Sequence, residues 1–147
     1  AALNPLPGTF LLTFDTELIW GSFDDLSAER FERRYPDVRG TISRIVQLLE
    51  RHRVSATWAV VGHLFLERCR RAPDGRAHPE ILRPHSEDGR DRLEADPCSQ
   101  REAAPLWYGD DIIEQLRTAR WPQEIGCHCP APRGPLRRSG PRIRSGW

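Results

Sequence analysis

The sequence contains no lysine and no methionine, and all 22 of its basic residues are arginine. A bias of that kind fits a GC-rich coding sequence better than a chemical demand for guanidinium groups. Long apolar runs are missing as well. No stretch approaches the roughly 18 consecutive apolar residues that a membrane-spanning helix needs, so no membrane span is expected. Ala1–Gly8 has no basic residue ahead of its short apolar run and no long apolar core, so it does not read as a secretory signal. Location is otherwise undetermined, with a cytoplasmic setting as the default. Because no methionine stands at the start, the natural start is expected upstream of Ala1. The four cysteines (Cys69, Cys98, Cys127, Cys129) form neither a Cys-x-x-Cys pair nor a zinc-finger spacing. With no export signal, free thiols are the expectation.

Net charge of one sign is also lacking, since the 22 arginines face 21 acids. The balance is local rather than uniform. Pro130–Trp147 carries five arginines and no acid, which leaves residues 1–129 mildly acidic. The expected organisation is therefore a single domain over 1–129 followed by a basic tail over 130–147. Such a tail could engage an anion or nucleic acid electrostatically. It has no recognisable nucleic-acid-binding module, so a solvated tail and no nucleic-acid partner are expected. The oligomeric state is left open.

What the chain does contain is an alternation of β-prone and amphipathic segments. Thr9–Phe14 reads as a buried strand that ends at the polar pair Asp15 and Glu17. Asp24–Arg34 is charged and reads as a loop with a helical turn. Thr41–His52 places Ile42, Ile45, Val46 and Leu49 at helical spacing, with Thr41 as N-cap. Val54–Val61 is a second β-prone run ended by Gly62, and His63–Arg71 reads as helical. Ala72–Pro105 is polar and broken by proline and glycine, which predicts a long insertion loop, with His78 and His85 solvated in it. Asp110–Arg120 is a helix capped by Asp110 or Asp111, and Glu124–His128 is a third strand. Strands alternating with helices predict an α/β fold with a parallel sheet.

In such folds reactive groups collect where strands end. Asp15 and Glu17 follow the first strand, and His128 follows the third. Two carboxylates and an imidazole meeting at one sheet end could hold a hydrolytic metal or form an acid–base pair. The competing structural reading makes Asp15 a turn or cap residue. Trp20 and Trp107 could stack on sugar rings, whereas Trp58, inside a strand, reads as core. Trp107 and Tyr108, just before a helix, are the best placed to line a groove. Cys127 and Cys129 alternate with His128 along an extended strand, so these three do not converge on one ion.

Three segments taken in order carry a family resemblance: Leu12-Thr-Phe-Asp-Thr-Glu17, Ser55-Ala-Thr-Trp-Ala-Val-Val-Gly62 and Glu124-Ile-Gly-Cys-His128. They resemble the Thr-Phe-Asp-Asp motif, the Ala-Thr-Phe-Phe-x-x-Gly strand and the approach to the metal-binding histidine motif of the polysaccharide deacetylase (NodB-homology, carbohydrate esterase family four) superfamily. The resemblance covers residues 9–129. It implies the N-terminal part of a (β/α)-type deacetylase barrel with an irregular Arg/Pro-rich tail. The activity it implies is metal-dependent hydrolysis of N-acetyl groups on a carbohydrate substrate, a carbon–nitrogen bond outside peptides. Asp15 would then be the general base, Glu17 and His128 ligands of a divalent metal such as zinc, and Trp107 and Tyr108 substrate-binding. The sequence departs from the family pattern at three places. Thr16 stands where the second Asp is usual, Cys129 where Ser or Thr is usual, and Pro132 where the second histidine is expected. From Pro130 onward nothing resembles the family, and the composition there is what a reading-frame shift in GC-rich DNA produces, a natural basic tail being the other reading. A truncated domain of weak or no activity is expected. The alternative from another class is a non-catalytic module that binds a glycan or an anion.

Overall fold

The structure is a computed structural model, and it describes residues 8–81, 83 and 91–128. The basic tail expected over 130–147, His85 and Cys129 lie outside the described residues.

Three short strands form one parallel sheet in the order β1-β2-β3, with β1 at Thr13–Thr16, β2 at Thr57–Val61 and β3 at Glu124–His128. The register pairs Phe14 with Trp58 and Trp58 with Ile125, then Asp15 with Ala59 and Ala59 with Gly126. Side chains alternate across a sheet, so these two rungs face opposite ways. Trp58 and Val60 are buried beneath the helices, with Phe14 and Ile125 packed beside them. Asp15, Ala59 and Gly126 project from the other face, where they are exposed or half-buried.

Helices α1 (Ala28–Arg34), α2 (Val38–His52) and α3 (Asp110–Arg117) complete the regular structure. α2 presents Ile42, Val46 and Leu49 to the sheet, and α3 presents Ile112, Ile113 and Leu116, merging into one apolar cluster with Trp58 and Val60. This is the helical spacing of apolar residues at work. Arg39 of α2 fixes α3. Its Nε and a terminal nitrogen donate to the two oxygens of Asp111 at 2.8 and 3.2 Å, and it also donates to the carbonyls of Pro105 and Tyr108, each at 2.6 Å. Gln123 aligns β3, because its Oε1 accepts from the Ala56 amide and the Trp58 indole while its Nε2 donates to the Val54 carbonyl, all at 3.2 Å. Among the described residues no helix is long and apolar enough to cross a membrane.

Several boundaries differ from the sequence expectation. The first strand begins at Thr13 and includes Asp15, while Phe10 and Leu11 are exposed because no neighbouring strand meets them. The stretch 24–34, expected as a loop with a helical turn, holds the longer α1, whose cap is the Ser27 side chain accepting from the Arg30 amide. α2 starts at Val38, not Thr41, because the Asp37 carboxylate accepts from the Gly40 amide and is the N-cap. Helix is confined to a 3-10 turn at Gly62–Phe65 in the region read as His63–Arg71. Beyond it the backbone pairs with a distant segment instead, with the Cys69 amide donating to the Ser99 carbonyl at 3.0 Å and Arg68 bridging Gln100. α3 ends at Arg117, and its N-cap is Gly109 rather than an Asp. The described residues of the polar stretch 72–105 are irregular, as expected, apart from one 3-10 turn at Arg92–Ala95 and the bridges of Ala77 to Arg71 and of Gln100 to Arg68. His78, however, is fully buried rather than solvated.

Candidate functional site

The C-terminal ends of the three strands bring the predicted residues together. His128 is the register partner of Val61, two residues beyond the rung that carries Asp15, Ala59 and Gly126, and so leaves the same face of the sheet as Asp15. Glu17 lies just past β1, and Leu18 after it adopts a left-handed backbone (φ 48°) that turns the chain off the sheet. The Glu17 carboxylate reaches His128, with Oε1 3.4 Å from Nδ1, while Asp15 Oδ2 lies 3.9 Å from Nε2 of the same ring. Glycine at position 21 leaves room for the Glu17 carboxylate, which a Cβ there would displace. Asp15 is 68% exposed, whereas Glu17 and His128 are about a third exposed. Thr16 is buried and belongs to the helix-facing side by alternation, so the acid two places after Asp15, not the adjacent position, shares its face.

Two features bear on a metal here. His128 Nδ1 is buried without a hydrogen-bond partner. Two atoms bound to one ion at about 2.0–2.2 Å in tetrahedral geometry lie about 3.4 Å apart, which matches the Glu17–His128 separation. Asp15 stands at the other ring nitrogen, beside such a pair rather than within it. Glu17 and His128 are thus spaced as two ligands of one divalent ion would be.

A second cluster lies in the segment between β2 and α3. Cys69, His78, Asp96 and Cys98 can hold a metal ion: one ligand atom from each lies within 4.8 Å of the others. Backbone pairing assembles it, because the Arg68–Gln100 bridge sets Cys69 beside Cys98 and the Arg71–Ala77 bridge brings His78 in. The two sulfurs are 2.8 Å apart. Asp96 is completely buried. Its Oδ1 accepts from the Cys98 amide and the Tyr108 hydroxyl, each at 2.7 Å, which leaves Oδ2 facing His63 Nε2 at 2.5 Å and His78 Nε2 at 2.6 Å. Burial alone would push the Asp96 carboxyl up. Hydrogen bonds from His63, Tyr108, the Cys98 amide and His78 outweigh it and hold the group well below the usual carboxylate range. Burial, then the hydrogen bond with Cys98 and the charge of Asp96, push the Cys69 thiol up.

His63 ties this cluster to the strand ends. Its Nδ1 lies 3.0 Å from the Trp107 carbonyl, which also accepts from the Trp20 indole at 3.0 Å. A carbonyl only accepts, so His63 carries hydrogen on Nδ1. Gly109 permits the approach of the two segments: a Cβ there would come within 3.1 Å of Leu64 Cβ, and its amide donates to the Leu64 carbonyl at 3.2 Å.

Asp15, Glu17 and His128 are therefore brought together, and the predicted aromatic pair is split. Tyr108 is fully buried with its hydroxyl on Asp96, so it is a core residue and cannot line a groove. Trp107 is half-buried and packs edge-on against Trp20, with ring centroids 5.1 Å apart. Trp58 is core, as expected. The three described cysteines are free. Sequence reasoning missed the second cluster, whose four members follow no known ligand spacing; the one available signal was the concentration of Cys, His and Asp in an otherwise apolar-poor stretch. Comparison with protein-family models, with curated proteins and with solved structures returned no match for this chain.

Proposed function

We propose that the chain is the N-terminal part of a metal-dependent carbohydrate N-deacetylase, a hydrolase of carbon–nitrogen bonds other than peptide bonds, with little activity by itself. The observation that carries this is the convergence of Asp15 and Glu17 on the two ring nitrogens of His128 at the C-terminal ends of parallel strands. Glu17 and His128 would hold the divalent ion, zinc by preference for an imidazole-containing site. When bound, that ion supplies Lewis acidity toward an acetamide carbonyl.

The chain's own residues do the rest. Asp15, the most exposed of the three, is free to take a proton from water at its Oδ2. Ala59 and Gly126, on the same rung, keep the sheet face beside it low enough for a sugar ring to approach. Trp107, half-buried against Trp20, is the member of the predicted aromatic pair left to meet a sugar ring. One imidazole where the resembled family has two gives an incompletely held ion, and weak turnover follows.

Manganese is a suitable probe because it favours oxygen and imidazole ligands over thiolates. Titrated into the protein, it is expected to broaden the His128 ring resonances, and Glu17→Gln is expected to abolish the effect. Acetate release from a chitin oligomer is expected to be slow and lost in Asp15→Asn. Broadening indifferent to Glu17, together with acetate release indifferent to Asp15, would remove the hydrolase assignment. Rapid turnover abolished by Asp15→Asn would keep it and overturn the expectation of weak activity.

A further inference from the structure

The segment between β2 and α3 poses a problem of stability. Among the described residues of 66–105, Ala77 is the sole apolar side chain that is fully buried. Hydrophobic burial is the usual force that orders a chain against its conformational entropy, and here there is almost none. The buried side chains of this segment are instead His78 and Asp96, both with no exposed surface. Small units that cannot build an apolar core are commonly held by a metal or by disulfides.

We propose that Cys69, His78, Asp96 and Cys98 bind a single zinc ion that fastens this segment to the end of the sheet. Two sulfurs, one imidazole and one carboxylate are a donor set for a tetrahedral zinc ion and a poor one for magnesium or calcium, which take oxygen ligands; the two sulfurs, 2.8 Å apart, would separate to about 3.8 Å on binding it. One ring nitrogen of the cluster is unpartnered: His78 Nδ1 is buried and has no hydrogen bond, with Glu80 Oε1 3.7 Å away. Two of the four residues, His78 and Cys98, hold left-handed backbones with φ of 47° each, a conformation that ordinary side chains adopt at a cost and that something in the site must offset.

The surroundings resemble those of a structural centre. Asp96 Oδ1 is held by the Cys98 amide and the Tyr108 hydroxyl, an orienting arrangement of the kind that fixes metal ligands. Four protein ligands complete a tetrahedral shell, which separates this site from a catalytic one with an open position. The ion therefore orders the fold and takes no part in turnover. It is independent of the strand-end group around His128.

The full chain, purified under reducing conditions, tests this by metal analysis and by replacing zinc with cobalt. The expected result is one zinc per chain that is retained when Glu17 and His128 are replaced and, in the cobalt form, a thiolate-to-cobalt charge-transfer band with intense tetrahedral ligand-field bands. Cys98→Ser is expected to cut the charge-transfer intensity to about half, one thiolate of two being lost. The double variant Glu17→Gln, His128→Gln is expected to leave the spectrum unchanged. A cobalt form without the charge-transfer band, or a band lost in the Glu17, His128 variant, would overturn the proposal. If the cysteine variants do not fold, the spectrum of the unaltered protein alone decides.

Discussion

Tyr108 packs its ring against His63, with centroids 5.3 Å apart, and places its hydroxyl between the Asp96 carboxylate and the Ser99 amide, accepting from the amide at 2.9 Å. Its role is thus to hold a buried carboxylate in one orientation. Removing the hydroxyl leaves Asp96 Oδ1 with one donor and the Ser99 amide with none. Tyr108→Phe is therefore expected to destabilise the fold by about 1–3 kcal/mol, which urea unfolding checks. The correction from groove residue to core residue has a plain cause. An aromatic next to a helix start reads alike whether it faces outward or inward, and only the buried acceptor Asp96, twelve residues earlier in the chain, decides which.

At the scale of elements, the legible parts were those whose pattern is local. α2 and α3 could be read from Ile42, Val46 and Leu49 and from Ile112, Ile113 and Leu116, because a helix repeats its buried positions within a few residues. β2 and β3 were legible for the same reason. The meeting of Asp15, Glu17 and His128 was legible because strand ends in a parallel sheet share one edge. The buried cluster was not, since Cys69, His78, Asp96 and Cys98 are brought together by backbone bridges between irregular segments, which leave no period to read. Arg39 was equally silent, being one arginine among many until its fork closes on Asp111. That fork gives a prediction with a definite sign. Burial alone would raise the Asp111 carboxyl, but the Arg39 guanidinium outweighs it and lowers the group below its ordinary value of 3.8. A lowered carboxylate contributes stability above the unfolded value and loses it as pH falls toward the folded one. Urea midpoints are expected to drop between pH 6 and pH 3, and to drop less in Asp111→Asn than in the unaltered protein.

At the scale of the whole molecule, the described sheet has three strands, two edges and one face that no helix covers. Phe10 and Leu11, at 84% and 81% exposed, add apolar surface next to β1. Open strand edges beside apolar surface favour association between chains. The chain by itself is expected to unfold at a low temperature with little cooperativity and to scatter light as it does so. Circular dichroism and light scattering on one heated sample check this, and a sharp transition at high temperature without scattering would count against it.

The carbonyl of Trp107 spends both of its lone pairs at once, one on the Trp20 indole and one on His63. That single oxygen is a mechanical joint between the turn after β1 and the polar cluster. Any rearrangement of the cluster that tilts the 107–108 peptide plane must alter the surroundings of an indole ring at the far side of the joint. Trp20, whose ring centroid also lies 4.2 Å from that of His63, is thus placed as an optical reporter of the centre.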